Sequence, residues 1–236
     1  MQLYILCFYG EFFMRFLVIS DIHGEVEKLD KLDGEFSKAD GVLFLGDFAR
    51  FKEPETGLPV FNKLLEKHEH IFAVLGNCDE PEFIEKLVNA DISVQGELIF
   101  SDGLAFAGSG GALKFTGTTP NERDDEDLIK DLALVQNQEE NLDNLILITH
   151  QPAFDSGMDK ITAGISTGSK LFREFIEKKE PLVALSGHIH ESFFVGKIGK
   201  TTVMNPGALA EDRYGILEIV KKDGVFEVTK AELMTL

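Results

Sequence analysis

Five short apolar runs of this sequence each end at a polar side chain that can bind a metal ion or act in catalysis. The runs and the residues that follow them are FLVIS (16–20) before Asp21, GVLFLG (41–46) before Asp47, IFAVLG (71–76) before Asn77, LILIT (145–149) before His150 and LVALSG (182–187) before His188. His23 and His190 lie two residues beyond Asp21 and His188, and residues i and i+2 of an extended segment point to the same face. Mixed imidazole and carboxylate ligands suit Mn, Fe, Zn, Co or Ni. The set is too large for one ion and about right for two ions that share a bridging carboxylate.

The apolar runs are typical of buried strands, and amphipathic stretches alternate with them as in an α/β fold. Helices are predicted over residues 25–37, 81–90, 124–138 and 168–179, and strands return after residue 191. We therefore predict an α/β fold of two stacked mixed β-sheets flanked by helices. Because ligands bind at the carboxyl ends of strands in such sheets, the residues that follow the runs are expected to converge.

The charge composition limits the classes of partner that the protein is expected to bind. The chain has 236 residues, 41 of them acidic and 23 basic, for a net charge of −18. Such a surface repels nucleic acid and anionic membranes, so we expect no partner of either kind. The same charge is compatible with divalent cations.

The N-terminal segment and the cysteines bear on domain organisation and location. Residues 1–13 are apolar, too short to span a bilayer, and lack the features of a signal peptide. We expect them to be an extension or an added edge strand before a single domain over residues 14–236, and this segment leaves a homo-oligomer open. Cys7 and Cys78 make no disulfide framework, so a cytoplasmic location is expected.

The combined pattern DIH, GD, GNCD, H and GHIH, between Asp21 and His190, resembles the signature of the calcineurin-like metallophosphoesterases. A narrower resemblance rests on GSGGALKFTGTTPNE (108–122), THQPAFDSGMDK (149–160), STGSKLFREFIEK (166–178) and MNPGAL (204–209). These segments are similar to a small prokaryotic branch of stand-alone phosphoesterases.

The resemblance implies a role for each residue of the pattern. Asp21, His23 and His190 would hold one divalent metal ion, Asn77, His150 and His188 would hold a second, and Asp47 would bridge them. A bridging hydroxide would attack the phosphorus of a small phosphoester in line with the leaving oxygen, and Asn77 would also bind the substrate and stabilise its charge. Manganese is the expected metal, with Fe, Zn, Ni or Co as alternatives. Asp79 would support a neighbouring catalytic group.

Two residues depart from the family pattern. Most members have histidine at the position of Cys78, where it protonates the leaving group, so the identity of the general acid is open. A thiol beside two dications is expected to ionise readily, which would make Cys78 a weak proton donor. Arg50 replaces an acidic or polar residue and would either bind the substrate phosphate or pair with a nearby carboxylate.

Two further segments carry open expectations. The loop 108–122 is either a surface loop or a cover that helps to choose the substrate. Glu191 would either bond to a ligand histidine or face solvent.

The expected function is a metal-dependent phosphodiesterase. The alternatives are a phosphomonoesterase or protein phosphatase on the same site, a nuclease, which the charge disfavours, and a non-catalytic protein-binding scaffold that retains the fold.

Overall fold

The computed structural model describes residues 12–140 and 142–236. The strands are β1 (Phe12–Ile19), β2 (Gly41–Phe44), β3 (Ile71–Ala73), β4 (Leu98–Ser101), β5 (Leu104–Ser109), β6 (Ala112–Leu113), β7 (Glu122–Arg123), β8 (Leu145–Thr149), β9 (Val183–Ser186), β10 (Phe194–Ile198), β11 (Thr201–Asn205), β12 (Arg213–Lys222) and β13 (Val225–Thr235). The helices are α1 (Lys28–Lys31), α2 (Asp33–Phe36), α3 (Gly57–Lys67), α4 (Ile84–Asn89), α5 (Asp125–Lys130), α6 (Ala133–Gln136) and α7 (Lys170–Lys179), with short 3-10 turns at Pro54–Thr56, Pro81–Phe83 and Leu209–Glu211.

Two large mixed sheets form the framework. The first has the strand order β13-β12-β1-β2-β3, in which β1, β2 and β3 are parallel and β12 and β13 are antiparallel to their neighbours. The second has the order β10-β11-β9-β8-β5-β4, with a parallel centre and an antiparallel strand at each edge. This architecture confirms the predicted α/β fold of two stacked mixed sheets flanked by helices.

The central strands are apolar throughout because both of their faces are buried. On β1, Phe16 and Val18 face the second sheet, where they join a core that includes Phe106 and Ile148. The alternate residues of β1, such as Leu17, belong to a second core beneath α1 to α4. A third core lies between the outer face of the second sheet and α5 to α7. The strand ends are therefore held between packed layers.

The helices differ in part from the sequence prediction. The predicted helices 25–37 and 124–138 are each two short helices, α1 with α2 and α5 with α6. Helix α3 was missed, although Val60, Phe61 and Leu64 lie on its buried side at helical spacing. Helix α7 agrees closely with its prediction, and its start is capped by Ser169, whose hydroxyl accepts a hydrogen bond from the backbone N–H of Phe172.

The predicted N-terminal extension lies largely outside the described residues. Strand β1 begins at Phe12, and its first residues pair with Lys221 and Val220 of β12, so the strand starts two residues before Met14. Residues 1–11, which include Cys7, are outside the described range. Within that range no helix is both long enough and apolar enough to cross a membrane.

Candidate metal centre

The parallel strands deliver the predicted side chains to one edge of the two sheets. Asp21, Asp47 and Asn77 follow β1, β2 and β3, which are neighbours in the first sheet, while His150 and His188 follow the adjacent strands β8 and β9 of the second. The turns are tied together by backbone hydrogen bonds, including one from the N–H of Asp21 to the carbonyl of Gly46 at 2.9 Å. Sheet pairing thus gathers residues that are far apart in the sequence.

The first group contains Asp21, His23 and His190. The Nε2 atoms of His23 and His190 are 3.3 Å apart, and the Oδ1 atom of Asp21 lies 3.3 Å from His190 Nε2 and 3.9 Å from His23 Nε2. The second carboxylate oxygen of Asp21 accepts a hydrogen bond from the backbone N–H of His188 at 3.1 Å. Three donor atoms therefore converge on one point, as a metal ion requires.

The second group is centred on Asp47 and His150. The Oδ2 atom of Asp47 lies 3.5 Å from His150 Nε2 and 3.7 Å from His23 Nε2, so this carboxylate faces a histidine of each group. Its other oxygen accepts a hydrogen bond from the backbone N–H of Cys78 at 2.8 Å. The Oδ1 atom of Asn77 is 2.9 Å from His150 Nε2. Asp47 thus occupies the position between two candidate sites.

His188 lies beside the second group. The centre of its ring is 5.2 Å from the centre of the His150 ring. In the described part of the chain, the sets of histidine, cysteine and carboxylate atoms that lie within 4.8 Å of one another include Asp21, Asp47 and His150 but not His188. Its imidazole is the one predicted histidine ligand that lies at the margin of the cluster.

The outer ring nitrogens of two histidines fix which inner nitrogen is free to bind a metal. The Nδ1 atom of His150 is 2.7 Å from the carbonyl oxygen of Leu45, and Nδ1 of His23 is 3.2 Å from that of Ala49. A carbonyl oxygen only accepts hydrogen bonds, so Nδ1 carries the proton in each ring. In the neutral rings Nε2 then has a free lone pair, the form that coordinates metals.

Glu211 plays the same part for His190, at an Nδ1–Oε1 distance of 3.2 Å. Arg213 holds this carboxylate through an ion pair of 3.1 Å. Glu211 was not predicted from the sequence, whereas Glu191 was expected either to bond to a ligand histidine or to face solvent. Glu191 is exposed, and its carboxylate accepts a hydrogen bond from Thr162 at 3.2 Å. Glu211 lies 21 residues after its partner, on a short turn that only the fold brings close.

The backbone at the site is held in an uncommon conformation. Four of the predicted ligand residues have positive φ angles: Asp21 at 53°, His23 at 48°, Asp47 at 60° and His188 at 67°. This region costs about 1–2 kcal/mol for each residue with a side chain. At Gly76 the turn after β3 passes so close to Asp47 that an added Cβ would overlap its carboxylate. The surrounding sheets over-determine these turns, which fixes the direction of each ligand.

Asp79 acts on the backbone of the site. Its buried carboxylate accepts hydrogen bonds from the N–H groups of Asp47, Ala49 and Gly76, at 3.0, 2.9 and 2.8 Å. Burial, with the charge of Asp47, raises the pKa of Asp79 to about 6. Both oxygens of Asp79 join the turns after β2 and β3. The predicted support of a neighbouring catalytic group stays a prediction.

Cys78 is buried beside the second group. Its sulfur lies 3.7 Å from the Asn77 amide nitrogen and within 4.8 Å of ligand atoms of His23 and Asp47. Burial and the carboxylate of Asp47 raise the pKa of the Cys78 thiol far above its ordinary value. In the metal-free chain these groups favour the protonated thiol. The predicted ionisation beside two bound dications stays a prediction.

Arg50 is exposed and paired. Its guanidinium forms ion pairs of 3.1 Å with both Glu25 and Glu53. These ion pairs agree with the second alternative predicted for Arg50, which is pairing with nearby carboxylates. Its predicted part in substrate binding gains no support from them.

The buried charged groups of the site favour a bound cation. Burial alone would raise the pKa of Asp21, but its hydrogen bond to His190 and the nearby imidazoles hold this pKa well below its usual range. Burial alone would lower the pKa of His190, but Asp21 and Glu211 raise it to about 9. Burial and the neighbouring His150 lower the pKa of His188 to about 3. The side of the site that contains Asp21 and Glu211 therefore strongly favours a positive charge.

The donor atoms present fit divalent metal ions. Asp21 and Asp47 are only 1 and 2 % exposed, and within the described residues their ion pairs are all with histidines. No lysine or arginine compensates these buried carboxylates there. The facing Nε2 atoms of His23 and His190 both have lone pairs in the neutral state, so they need a shared proton or metal ion. Imidazole with carboxylate is a set that first-row metals prefer.

Two cavities flank the cluster. The loop-side cavity has a volume of about 460 Å³ and is lined by residues that include Asn77, Leu113, Phe115, Ile161, His188 and Ile189. The histidine-side cavity has about the same volume, near 460 Å³, and is lined by His188, His190, Glu191, Glu211 and Arg213. Both cavities reach His188, so groups attached to one bound phosphorus atom can extend into either.

Comparison with known proteins agrees with this geometry. The family model for calcineurin-like phosphoesterases matches residues 14–192. The chain belongs to this family of metal-dependent phosphoesterases, and it is accordingly a hydrolase that uses divalent metal ions.

Individual relatives cover nearly the whole chain. The uncharacterized protein MJ1162 of Methanocaldococcus jannaschii is 32% identical over 200 residues, which are 82% of this chain and 88% of the relative. The crystal structure of TT1561 from Thermus thermophilus has a TM-score of 0.68 at 18% identity and covers 95% of this chain and 99% of its own. A dimetal phosphatase from Danio rerio has a TM-score of 0.60 at 11% identity, over 94% of this chain and 98% of its own. These two structures share the fold.

Proposed function

We propose that the protein is a phosphodiesterase that uses two divalent metal ions, with manganese as the physiological choice and a small phosphoester as substrate. The observation that carries this proposal is the position of Asp47, whose Oδ2 atom lies 3.7 Å from His23 and 3.5 Å from His150. Asp21, His23 and His190 would hold one ion, and Asn77, His150 and His188 the other. A cytosolic location is part of the proposal and is supported by the composition alone.

A pair of bound cations supplies Lewis acidity and an activated water for in-line displacement at phosphorus. The chain's own groups prepare the site for that reaction. Backbone carbonyls and Glu211 keep the outer nitrogens of three histidines protonated, which presents the inner nitrogens to the metals. Asp79 locks the turns that carry Asp47 and Asn77, so that little reorganisation is needed during the reaction.

The cavities favour a diester over a monoester. A phosphodiester carries two substituents on phosphorus and a monoester carries one. The loop-side and histidine-side cavities, each of about 460 Å³, provide room on both sides of His188. This arrangement supports a substrate with groups on two sides of the phosphoryl centre.

Cys78 sets an expectation for the leaving group. Cys78 stands where most family members have histidine, and a thiol that ionises beside two bound dications would be a weak proton donor. We expect the rate to fall steeply as the pKa of the leaving group rises. Cys78→His should flatten the slope of log rate against leaving-group pKa. An unchanged slope would show that this position does not protonate the leaving group.

The function is tested with metal-loaded protein and two chromogenic substrates. With Mn²⁺, bis-p-nitrophenyl phosphate should be hydrolysed more efficiently than p-nitrophenyl phosphate. The reverse order would assign a phosphomonoesterase. Glu97→Gln is a control that should leave the rates unchanged, because this carboxylate is exposed and outside both cavities. Bound metal without hydrolysis of either substrate would favour a protein-binding scaffold and overturn the proposal.

A further inference from the structure

The loop beside the metal centre is organised by one carboxylate. Glu122 accepts hydrogen bonds from the backbone N–H groups of Phe115, Gly117, Thr118 and Thr119, at 2.8, 2.9, 3.0 and 3.2 Å. The hydroxyl groups of Thr116 and Thr119 are also within 3.3 Å of it. Burial alone would raise the pKa of Glu122, but the backbone donors lower it to about 2. The segment 115–119 is therefore a fixed turn around an anion.

This turn holds Phe115 in solvent. The side chain is 93% exposed, the highest fraction among the exposed large apolar side chains of the described residues. Leaving a phenylalanine exposed forgoes about 1.5–3 kcal/mol of burial free energy. Because the backbone N–H of Phe115 is bonded to Glu122, the turn itself keeps the ring at this place. A single exposed apolar side chain is common on protein surfaces, so its significance depends on where the ring lies.

The position of the ring limits what it can bind. Phe115 lines the loop-side cavity together with Asn77 and His188, two of the residues of the candidate metal centre. A phosphoryl group held at that centre would therefore direct one of its substituents toward the ring. This places the contact on the substrate of the proposed reaction.

The other walls of the cavity select for an uncharged group. Leu113, Ile161 and Ile189 contribute apolar surface. The side chain of Gln151 is used internally, since its oxygen accepts from the backbone N–H of Leu113 at 2.9 Å and its nitrogen donates to the carbonyl of Thr167 at 3.1 Å. Lys114 is paired with Asp124 at 2.6 Å. The polar groups are thus engaged, and flat apolar surface remains.

We propose that Phe115 is a specificity-determining residue that stacks on a planar aromatic substituent of the phosphodiester, such as an aryl ring or a nucleobase, within the loop-side cavity. The inference rests on the proposed function for the placement of the phosphoryl group. An aromatic ring stacked on phenylalanine gains about 0.5–1.5 kcal/mol beyond the area it buries. The effect belongs in substrate binding, because the proposed contact is with a substituent and not with the phosphorus atom.

A binding experiment separates this inference from catalysis. The chain contains no tryptophan, so Phe115→Trp introduces a unique fluorophore. Phenylphosphonate, which has no ester bond to cleave, should change its emission in the metal-loaded protein, while methylphosphonate should not. Phe100→Trp is the matched control, because Phe100 is 62% exposed and lines neither cavity. Equal responses to the two phosphonates would contradict the inference even if the protein is an active phosphodiesterase.

A kinetic experiment tests the same contact with the leaving group held constant. Phe115→Ala should raise the KM for p-nitrophenyl phenyl phosphate and for the p-nitrophenyl ester of thymidine 5′-phosphate by about 3- to 10-fold, the range that stacking provides. The rise in KM should be smaller for p-nitrophenyl methyl phosphate, in which the leaving group is the only ring. All three kcat values should change little, and Phe115→Tyr should restore the KM. An effect on the thymidine ester alone would identify a nucleobase as the occupant. An unchanged KM for both aromatic esters would overturn the proposal.

Discussion

The metal centre and the turn at residues 115–119 are adjacent, but they are held by different means. The metal centre joins residues as far apart as Asp21 and His190, which only the pairing of the two sheets brings to 3.3 Å. The turn is held by Glu122, which bonds to N–H groups within seven residues of itself. Long-range topology thus fixes the metal centre, while a local contact fixes the turn that is proposed to select the substrate.

The two regions also balance charge differently. The carboxylates of Asp21 and Asp47 face imidazoles, and the proposed metal ions would complete their charge balance. The carboxylate of Glu122 is satisfied by backbone donors and needs none. Removal of metal should therefore disturb the metal centre and leave the turn at residues 115–119 intact. Disruption of the turn should likewise leave the metal centre intact.

The largest effect is expected for Asp47→Asn. The amide keeps the size of the side chain but loses the charge that faces both histidine groups, so kcat/KM should fall by about 10³-fold, equivalent to about 4 kcal/mol. Metal content should also fall, as elemental analysis would show. Carried in the Phe115→Trp background, this change should leave the emission of the metal-free protein unaltered. Activity within tenfold of the parent would remove Asp47 from its central place.

A smaller effect is expected for Glu211→Gln, which weakens the acceptor that orients His190. Loss of such an outer partner reduces metal affinity by about 10- to 100-fold. Titration of the metal-free protein with Mn²⁺ would measure it. Glu191→Gln is the control, since its carboxylate contacts Thr162 rather than a predicted ligand. Equal effects of the two substitutions would mean that the contact between Glu211 and His190 does not matter.

A still smaller effect is expected for Glu122→Gln. One end of the new amide carries N–H groups that oppose the backbone donors of the turn, so the position of Phe115 should loosen. The KM for an aromatic diester should rise severalfold, with metal affinity unchanged. Glu97→Gln is a suitable comparison, because this carboxylate is exposed and outside both cavities. A loss of metal together with the rise in KM would show that the two regions are not independent.

The smallest effect concerns pH. The pKa of Glu122 is lowered to about 2 from an ordinary value of 4.5, so the stabilisation it provides is complete above pH 4.5 and is lost as the pH falls through about 2. The emission of Phe115→Trp in metal-free protein should show no transition near pH 4.5 and should report the loss of the turn only at lower pH. A transition centred near pH 4.5 would show that the backbone donors of the turn do not hold Glu122.

The candidate ligands could be predicted because five of them follow buried apolar strands, and the pairing of these strands brings their carboxyl ends together. The sequence did not reveal Glu211, since no local pattern links the turn at Leu209–Glu211 to His190. Nor did it reveal the role of Glu122, which depends on the conformation of the turn it organises. For the same reason Arg50 was open to two interpretations, and only the fold shows the two carboxylates beside it.

The helix predictions were limited in the same way, because they rest on local sequence patterns. The predicted helices at 25–37 and 124–138 have suitable apolar spacing, but each breaks into two short helices on the sheet surface. The apolar residues of each pair of helices pack into a core against a sheet, and this tertiary packing overrides the local preference for one continuous helix. Strand positions were easier to predict, because burial on both faces leaves a continuous apolar run.

The central claim is that one carboxylate lies between two metal ions. A crystal structure of the Mn²⁺-loaded protein, with anomalous scattering measured at the manganese edge, tests it directly. The account predicts two peaks about 3.5–4 Å apart, with the carboxylate of Asp47 in contact with both. A single peak, or two peaks of which one has no contact with Asp47, would contradict it.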